Sequence, residues 1–259
     1  MLRLYAARRC VVAAAFAAVA VAALAAPAQP ARAADQRPVR ALGDRGPLRT
    51  ERLSDERRLS RYAGAVSRAA VRTRPSSTAR RIGVLHYLTE DGPFEVYPVL
   101  ESYLDSSGRA WLHIRLPARP NGQTGWVPRN DLGPLQAVRT MLRVNRATLR
   151  ATLYRNGRQI WTSRVGVGTQ ATPTPAGHFW IRSSLRGLRD SPAYGPYAFG
   201  TGAYSVLSDW PGGGVIGIHG TDQPQLIPGR PSHGCVRVPN AAITRLHALM
   251  PVGTPVLIL

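Results

Sequence analysis

Gly217-Ile218-His219-Gly220-Thr221 and, a short gap later, Ser232-His233-Gly234-Cys235-Val236-Arg237 bring a thiol and two imidazoles into one region of the chain. Cysteine–histidine chemistry needs the base close to the thiol and a third group holding the base in place. A nearby imidazole favours the thiolate, the reactive form, so a lowered thiol pKa is expected at Cys235. Two histidines are candidates for the base. His219 lies 16 residues before Cys235 and ends the apolar run Val215 to Ile218, so a strand can fix its ring. Gly220 beside it lets backbone approach closely. His233 is two residues from Cys235; in an extended segment it shares a face with the thiol, and in a loop it can touch backbone or substrate. Position favours His219, because His233 is tied to the same short loop as the thiol.

Two histidines and a cysteine can also ligate zinc. No paired CxxC or HExxH accompanies them, so no metal and no organic cofactor is expected. Upstream, Thr172-Pro173-Thr174-Pro175-Ala176-Gly177-His178-Phe179 reads as a rigid double-proline loop entering a strand. Further out, Leu149, Ala151 and Leu153 alternate with Arg150, Thr152 and Tyr154, as in a half-buried strand. Asn156-Gly157 is a hairpin signal, and Gln159 to Val167 supplies the returning strand. Asn240 is placed to cap a short helix with Ile243, Leu246 and Met250 on one face. His247 on that helix is expected to pack rather than react. Val256 to Leu259 reads as a buried last strand.

The histidine–gap–SHGCVR pattern resembles the L,D-transpeptidase (YkuD) catalytic domain, and Thr172 to Phe179 is similar to an upstream signature of that family. The resemblance runs from about Val138 to Leu259. It implies a β-sandwich-like fold with Cys235 as nucleophile and His219 as base. It makes His233 and Gly234 accessory or oxyanion-loop residues, and puts Arg237 and Ser232 on the substrate side. Where some members have a serine after the base, this chain has Gly220, whose carbonyl would orient His219. The implied reaction is cross-linking of peptidoglycan stem peptides through a Cys thioester. The alternatives are an L,D-carboxypeptidase on the same stems and a non-catalytic wall-binding protein.

The preceding region, Tyr62 to Pro134, shows short strands and turns. In Trp111-Leu112-His113-Ile114-Arg115-Leu116, Leu112, Ile114 and Leu116 share one face. That run, Gly125-Trp126-Val127 and Val71 to Pro75 resemble the bacterial SH3-like domain. The fold class expected is therefore mainly β: a small SH3-like barrel at 62–134, then a catalytic β-sandwich at 137–259 with a short helix near its end. The first region is expected to fold by itself and to be dispensable for chemistry. His86 and His113 have no ligand-spaced partner and read as surface residues.

Residues 1–33 read as an export leader. Arg3, Arg8 and Arg9 precede the 16-residue apolar run Val11 to Ala26, and Ala31-Arg32-Ala33 fits a cleavage site before Ala34. The run is short for a membrane span, which needs about 20 residues. Sec and twin-arginine export both remain open. Residues 34–61 read as a basic tether, expected to be disordered. All 34 basic residues are arginine, against 14 acids, a net charge of +20. Such a surface suits anionic envelope polymers. The arginines are scattered and no nucleic-acid-binding motif accompanies them, so no nucleic-acid partner is expected. The expected location is a cell wall or periplasm-like space, with no stable membrane span after cleavage.

Overall fold

The computed structural model describes residues 50–186, 192–209 and 211–259. The expected leader and residues 34–49 of the expected tether lie outside the described residues. Among the described residues, no helix is long and apolar enough to cross a membrane.

The first sheet is built from β1 (Thr50–Arg52), β2 (Ser60–Gly64), β3 (Ala70–Arg72), β4 (Arg81–Val84), β5 (Val96–Leu104), β6 (Ala110–Arg115), β7 (Thr124–Pro128) and β8 (Gln136–Val138). Its order is β4-β3-β7-β6-β5-β2-β8, with β1 also on β5. Residues 50–52 and 60–61 of the expected tether are thus strand. The alternation at Trp111 to Leu116 holds: Leu112, Ile114 and Leu116 join a core with Val71, Tyr97, Val99 and Val127. On the other face, the His113 ring stacks on Trp126 with centroids 4.6 Å apart.

The chain passes to the second sheet between Val138 and Thr140. That sheet holds β9 (Thr140–Asn145), β10 (Arg150–Arg155), β11 (Arg158–Arg164), β12 (Gly166–Gly168), β13 (Gly177–Arg186), β14 (Tyr197–Tyr204), β15 (Val215–His219), β16 (Gly229–Ser232), β17 (Val236–Arg237) and β18 (Pro255–Ile258). The order is β11-β10-β9-β18-β13-β14-β15-β17-β12-β16. Asn156 and Gly157 close the β10–β11 hairpin with φ of 52° and 78°, the conformation a tight hairpin turn requires. The helix α1 (Asn240–Leu249) buries Ile243 and Leu246 in a core shared with Phe199, Ile218, Val236 and Val256. His247 stacks on Tyr197 at 4.0 Å.

One expectation fails here. Asn240 is not the cap: Pro239 occupies that position and no side chain bonds the helix start. The Asn240 amide oxygen instead accepts the Thr221 N–H at 2.9 Å, tying the helix to the segment after His219.

Residues 46–259 form one compact unit, and the two sheets meet through buried polar groups. Arg182 on β13 is 3% exposed. Its Nε lies 3.0 Å from both Glu95 carboxylate oxygens, and its Nη2 pairs with Glu95 and with Glu90 at 2.9 Å. Burial works against the Arg182 charge, but the hydrogen bonds and charge of Glu95 outweigh it and hold the pKa above the ordinary value. Trp180 donates its indole N–H to the Val96 carbonyl at 2.8 Å. Asn121 and Tyr204 exchange two hydrogen bonds, of 2.8 and 2.9 Å. The Arg119 Nη2 lies within 3.2 Å of the carbonyls of Ser205, Leu207 and Gly213. These bonds leave the second sheet dependent on the first for partners of its buried groups.

Breaking a buried ion pair at one end leaves an uncompensated charge, at a cost of about 3–5 kcal/mol. Glu95→Gln leaves Arg182 with Glu90 as its remaining charged partner, so it is expected to lower unfolding free energy by about 3 kcal/mol, the lower end of that range, in denaturant titration. Glu101→Gln, removing the more exposed partner of His113, is expected to cost about 1 kcal/mol or less. Equal effects of the two substitutions would show that the Glu95–Arg182 pair does not join the sheets energetically.

Candidate active site

β15 and β17 run parallel, with Ile218 opposite Val236 and His219 opposite Arg237. Side chains two apart on a strand share a face, so Gly217 and His219 look the same way. Cys235 enters on that face just before β17. A Cβ placed on Gly217 would lie 3.6 Å from His219 Cδ2 and 3.7 Å from Cys235 Sγ. Thiol and imidazole therefore flank one glycine whose missing side chain leaves the space between them. The Gly217 N–H also donates to Cys235 Sγ at 3.3 Å.

The His219 ring is 4% exposed. Its Nδ1 lies 2.6 Å from the Gly220 carbonyl oxygen. A carbonyl only accepts, so Nδ1 carries the proton and Nε2 keeps the lone pair. Burial lowers the His219 pKa to about 4, the Gly220 carbonyl opposing and the Arg237 charge assisting. The ring is neutral at pH 7. Gly220 cannot carry a side chain here, because a Cβ would run into the Asn240 amide oxygen and the Gly195 backbone. Asn240 thus fixes the segment that orients the base.

The thiol behaves differently from the sequence expectation. Burial pushes the Cys235 pKa up, and the Gly217 N–H and the Arg237 charge only partly counter it. With the imidazole pKa low and the thiol pKa high, the resting pair is uncharged, and proton transfer from sulfur to nitrogen runs uphill. A neutral imidazole of this kind can accept a proton, but it cannot be the charged partner of a preformed thiolate.

The loop carrying Cys235 is held by three hydroxyls on three successive carbonyls. Ser205 Oγ donates to His233 O at 3.0 Å, Thr174 Oγ1 to Gly234 O at 2.7 Å, and Ser232 Oγ to Cys235 O at 2.6 Å. Thr174 Oγ1 also accepts the Gly168 N–H at 2.8 Å, which explains why the double-proline loop matters to the thiol. Gly234 has φ +125°, and a Cβ there would strike Ile216 Cδ1. Each peptide N–H points away from the carbonyl of the same plane. Turning the Gly234 carbonyl toward Thr174 therefore turns the Cys235 N–H the other way. The Gly234 N–H is taken up by Ser232 Oγ at 3.2 Å.

The remaining residues singled out from sequence fall as follows. Ser232 is buried with both hydroxyl contacts inside its own loop. The His233 side chain is exposed. Arg237 donates to Gln223 Oε1 at 3.3 Å, and its buried Nε makes no hydrogen bond with a described residue. Sequence reasoning missed Tyr194, whose ring lies 4.7 Å from the His219 ring. Burial raises the Tyr194 pKa, with Asp91 adding to this and Arg237 opposing. It also missed Gly217, Ser205 and the role of Thr174. Only the i, i+2 spacing of Gly217 and His219 signalled any of these. No cluster of His, Cys, Asp and Glu suited to a metal occurs among the described residues.

The L,D-transpeptidase catalytic domain family, YkuD, matches residues 139–258. YkuD of Bacillus licheniformis is 34% identical over 184 residues, covering 71% of this chain and 94% of that protein. YkuD of Bacillus subtilis is 37% identical over 108 residues, 41% of this chain and 58% of that protein. A crystal structure of Enterococcus faecium L,D-transpeptidase aligns with a TM-score of 0.37 at 26% identity, covering 46% of this chain and 49% of that one. The chain thus spans 58% of the B. subtilis relative and about half of the E. faecium protein. The chain belongs to the YkuD L,D-transpeptidase family.

Small alkylating agents react with thiolate, so alkylation reads the titration of Cys235 directly. Its rate is expected to climb through pH 7–9 without levelling, because burial holds the thiol above its ordinary range. A reactivity plateau between pH 5 and 7 would reveal a preformed thiolate and contradict the uncharged resting pair.

Proposed function

We propose that the protein is a peptidoglycan L,D-transpeptidase working through a Cys235 thioester. The observation that carries this reading is the His219 ring, its Nδ1 committed to Gly220 and its ring carbon beside the same glycine as Cys235 Sγ. Sγ attacks the carbonyl joining an L-centre to the terminal D-residue of a stem peptide, while His219 Nε2 takes the thiol proton. As the C–N bond breaks, that proton passes to the leaving nitrogen and the D-residue departs. An amine of a second stem then attacks the thioester and gives its proton to Nε2. The sulfur leaves and recovers that proton, and a new amide links the two stems.

The uphill proton transfer needs charge stabilisation once the tetrahedral oxyanion forms. The Cys235 N–H, turned outward by the Thr174–Gly234 bond, is the donor we assign to it. One such donor is worth on the order of 3 kcal/mol. Arg237 adds a positive charge on the same face. Ser232 and Gly234 act by shaping the loop, and exposed His233 lines the substrate side. The residues from about 137 onward carry this chemistry. The first sheet is read as an SH3-like module that contacts the wall, with the stacked, half-buried His113 and Trp126 as its aromatic surface. Stem peptides lie outside the cytoplasmic membrane, so the leader-like residues 1–33 support export. The arginine-rich surface suits anionic envelope polymers as secondary partners.

Mixing the protein with a tetrapeptide stem is expected to give an acyl-enzyme mass on Cys235 and a free terminal D-residue. The acylation rate should hold its plateau as pH falls and drop only toward pH 4, where His219 protonates. His219→Ala is expected to slow acylation by about 100- to 10,000-fold. A midpoint near 6.5, or normal acylation in His219→Ala, would remove His219 as the base. No acyl-enzyme under any condition would remove the transpeptidase reading.

A further inference from the structure

A row of small residues crosses one face of the second sheet and ends at the thiol. Ser183 on β13 is opposite Gly200 on β14, and Gly200 is opposite Gly217 on β15. Directly opposed residues point to the same face with Cβ positions about 4.5–5.5 Å apart. Ser183 Oγ lies beside the Cβ position of Gly200, and Cys235 Sγ beside that of Gly217. Ser183–Gly200–Gly217 is thus a strip almost without side chains leading to Cys235.

The far end of the strip is occupied from the other sheet. Asp91, in the segment between β4 and β5, places Oδ2 3.5 Å from the Cβ position of Gly200 and Oδ1 3.7 Å from that of Gly212. The carboxylate is therefore at most about 13 Å from the thiol, on the same face. Glu90, its neighbour, is committed to Arg182 and Tyr204. Asp91 makes no hydrogen bond or ion pair with a described residue, and it is exposed. Ser183 Oγ beneath is buried and also without a partner among the described residues. Burial raises the Asp91 pKa and the Glu90 charge adds to this, while Arg182 opposes. A cation beside the carboxylate would offset both effects.

The rest of the molecule repels such a cation, with 34 arginines against 14 acids. Arg237 sets a positive charge at the thiol end of the strip. A ligand reaching the thiol past Asp91 therefore meets negative charge first and positive charge beside Cys235.

The structure assigns Asp91, a residue of the first sheet, as the docking point for the ammonium group of the acceptor stem peptide on its way to the thioester. This rests on the transpeptidase reading above and names which half of the reaction the first sheet serves. The donor acyl group needs no cation to reach sulfur, whereas an acceptor amine arrives protonated at pH 7. Released from Asp91 as the neutral amine, its extra proton left to solvent, it has at most about 13 Å to travel to the thiol.

The test uses the full chain with a tetrapeptide stem as donor and two acceptors: a stem peptide with a free side-chain amine, and hydroxylamine, which is neutral at pH 7. Asp91→Asn is expected to raise the acceptor KM for the cationic stem at least tenfold, with kcat changing less than threefold. The KM for hydroxylamine should move less than threefold, and Asp91→Glu should recover most of the loss. Equal changes for both acceptors would mean that Asp91 acts through the fold or the thioester. No change for either would mean that it takes no part. Both results overturn the assignment while leaving the transpeptidase reading intact. Failure of the unmodified protein to release the terminal D-residue overturns both.

Discussion

Three hydroxyl groups on three successive carbonyls set the conformation on which the site depends. Ser205, Thr174 and Ser232 fix the carbonyls of His233, Gly234 and Cys235, and each comes from a different part of the chain. Thr174 belongs to the double-proline loop before β13. Ser205 follows β14, and the first sheet pins the adjoining backbone through Asn121 and Arg119. Ser232 ends β16. A buried hydrogen bond contributes only about 1 kcal/mol net, but an unpaired buried carbonyl costs more than that. The loop therefore has little freedom to turn its carbonyls outward, and the Cys235 N–H is held toward the opposite side.

That constraint explains how an uncharged pair can be competent. A buried thiol and a buried imidazole each resist charging, so the resting site stores no ion pair. In the proposed reaction, charge appears only when substrate brings a carbonyl oxygen to the Cys235 N–H. The stabilisation is thus confined to the transition state, where binding energy accelerates reaction. The Gly220–Asn240–Thr221 contacts hold the His219 ring and its tautomer in place.

Much of this was legible from residues alone. The Asn156-Gly157 turn, the inward face of Trp111 to Leu116, and the apolar side of α1 are local patterns, and each forms as its periodicity indicates. The strand leading to His219 was legible for the same reason. What was not legible depends on contacts between segments far apart in sequence. Asn240 looked like a helix cap because residue type and position fit, yet Thr221, 19 residues earlier, offers its side chain a better partner. Ser232 looked like a substrate contact until the loop closed around it. Thr174 looked like part of a rigid turn, and only the fold shows that its hydroxyl reaches residue 234. The expected independence of the first sheet came from its complete strand pattern. Nothing in that pattern announces that Glu95 will be buried against an arginine 87 residues later.

The account turns on the claim that the Thr174 hydroxyl orients the loop and does not simply hold the fold together. The most direct measurement compares two reactions of Cys235 in Thr174→Val: acylation by a tetrapeptide stem, and alkylation by a small reagent that needs no oxyanion donor. Losing one oriented donor should slow acylation by about 100-fold or more. Alkylation should stay within a few-fold of the unmodified protein, and Thr174→Ser should restore acylation. If acylation and alkylation fall together, or if acylation is unaffected, the hydroxyl does not set the oxyanion donor and the account is contradicted.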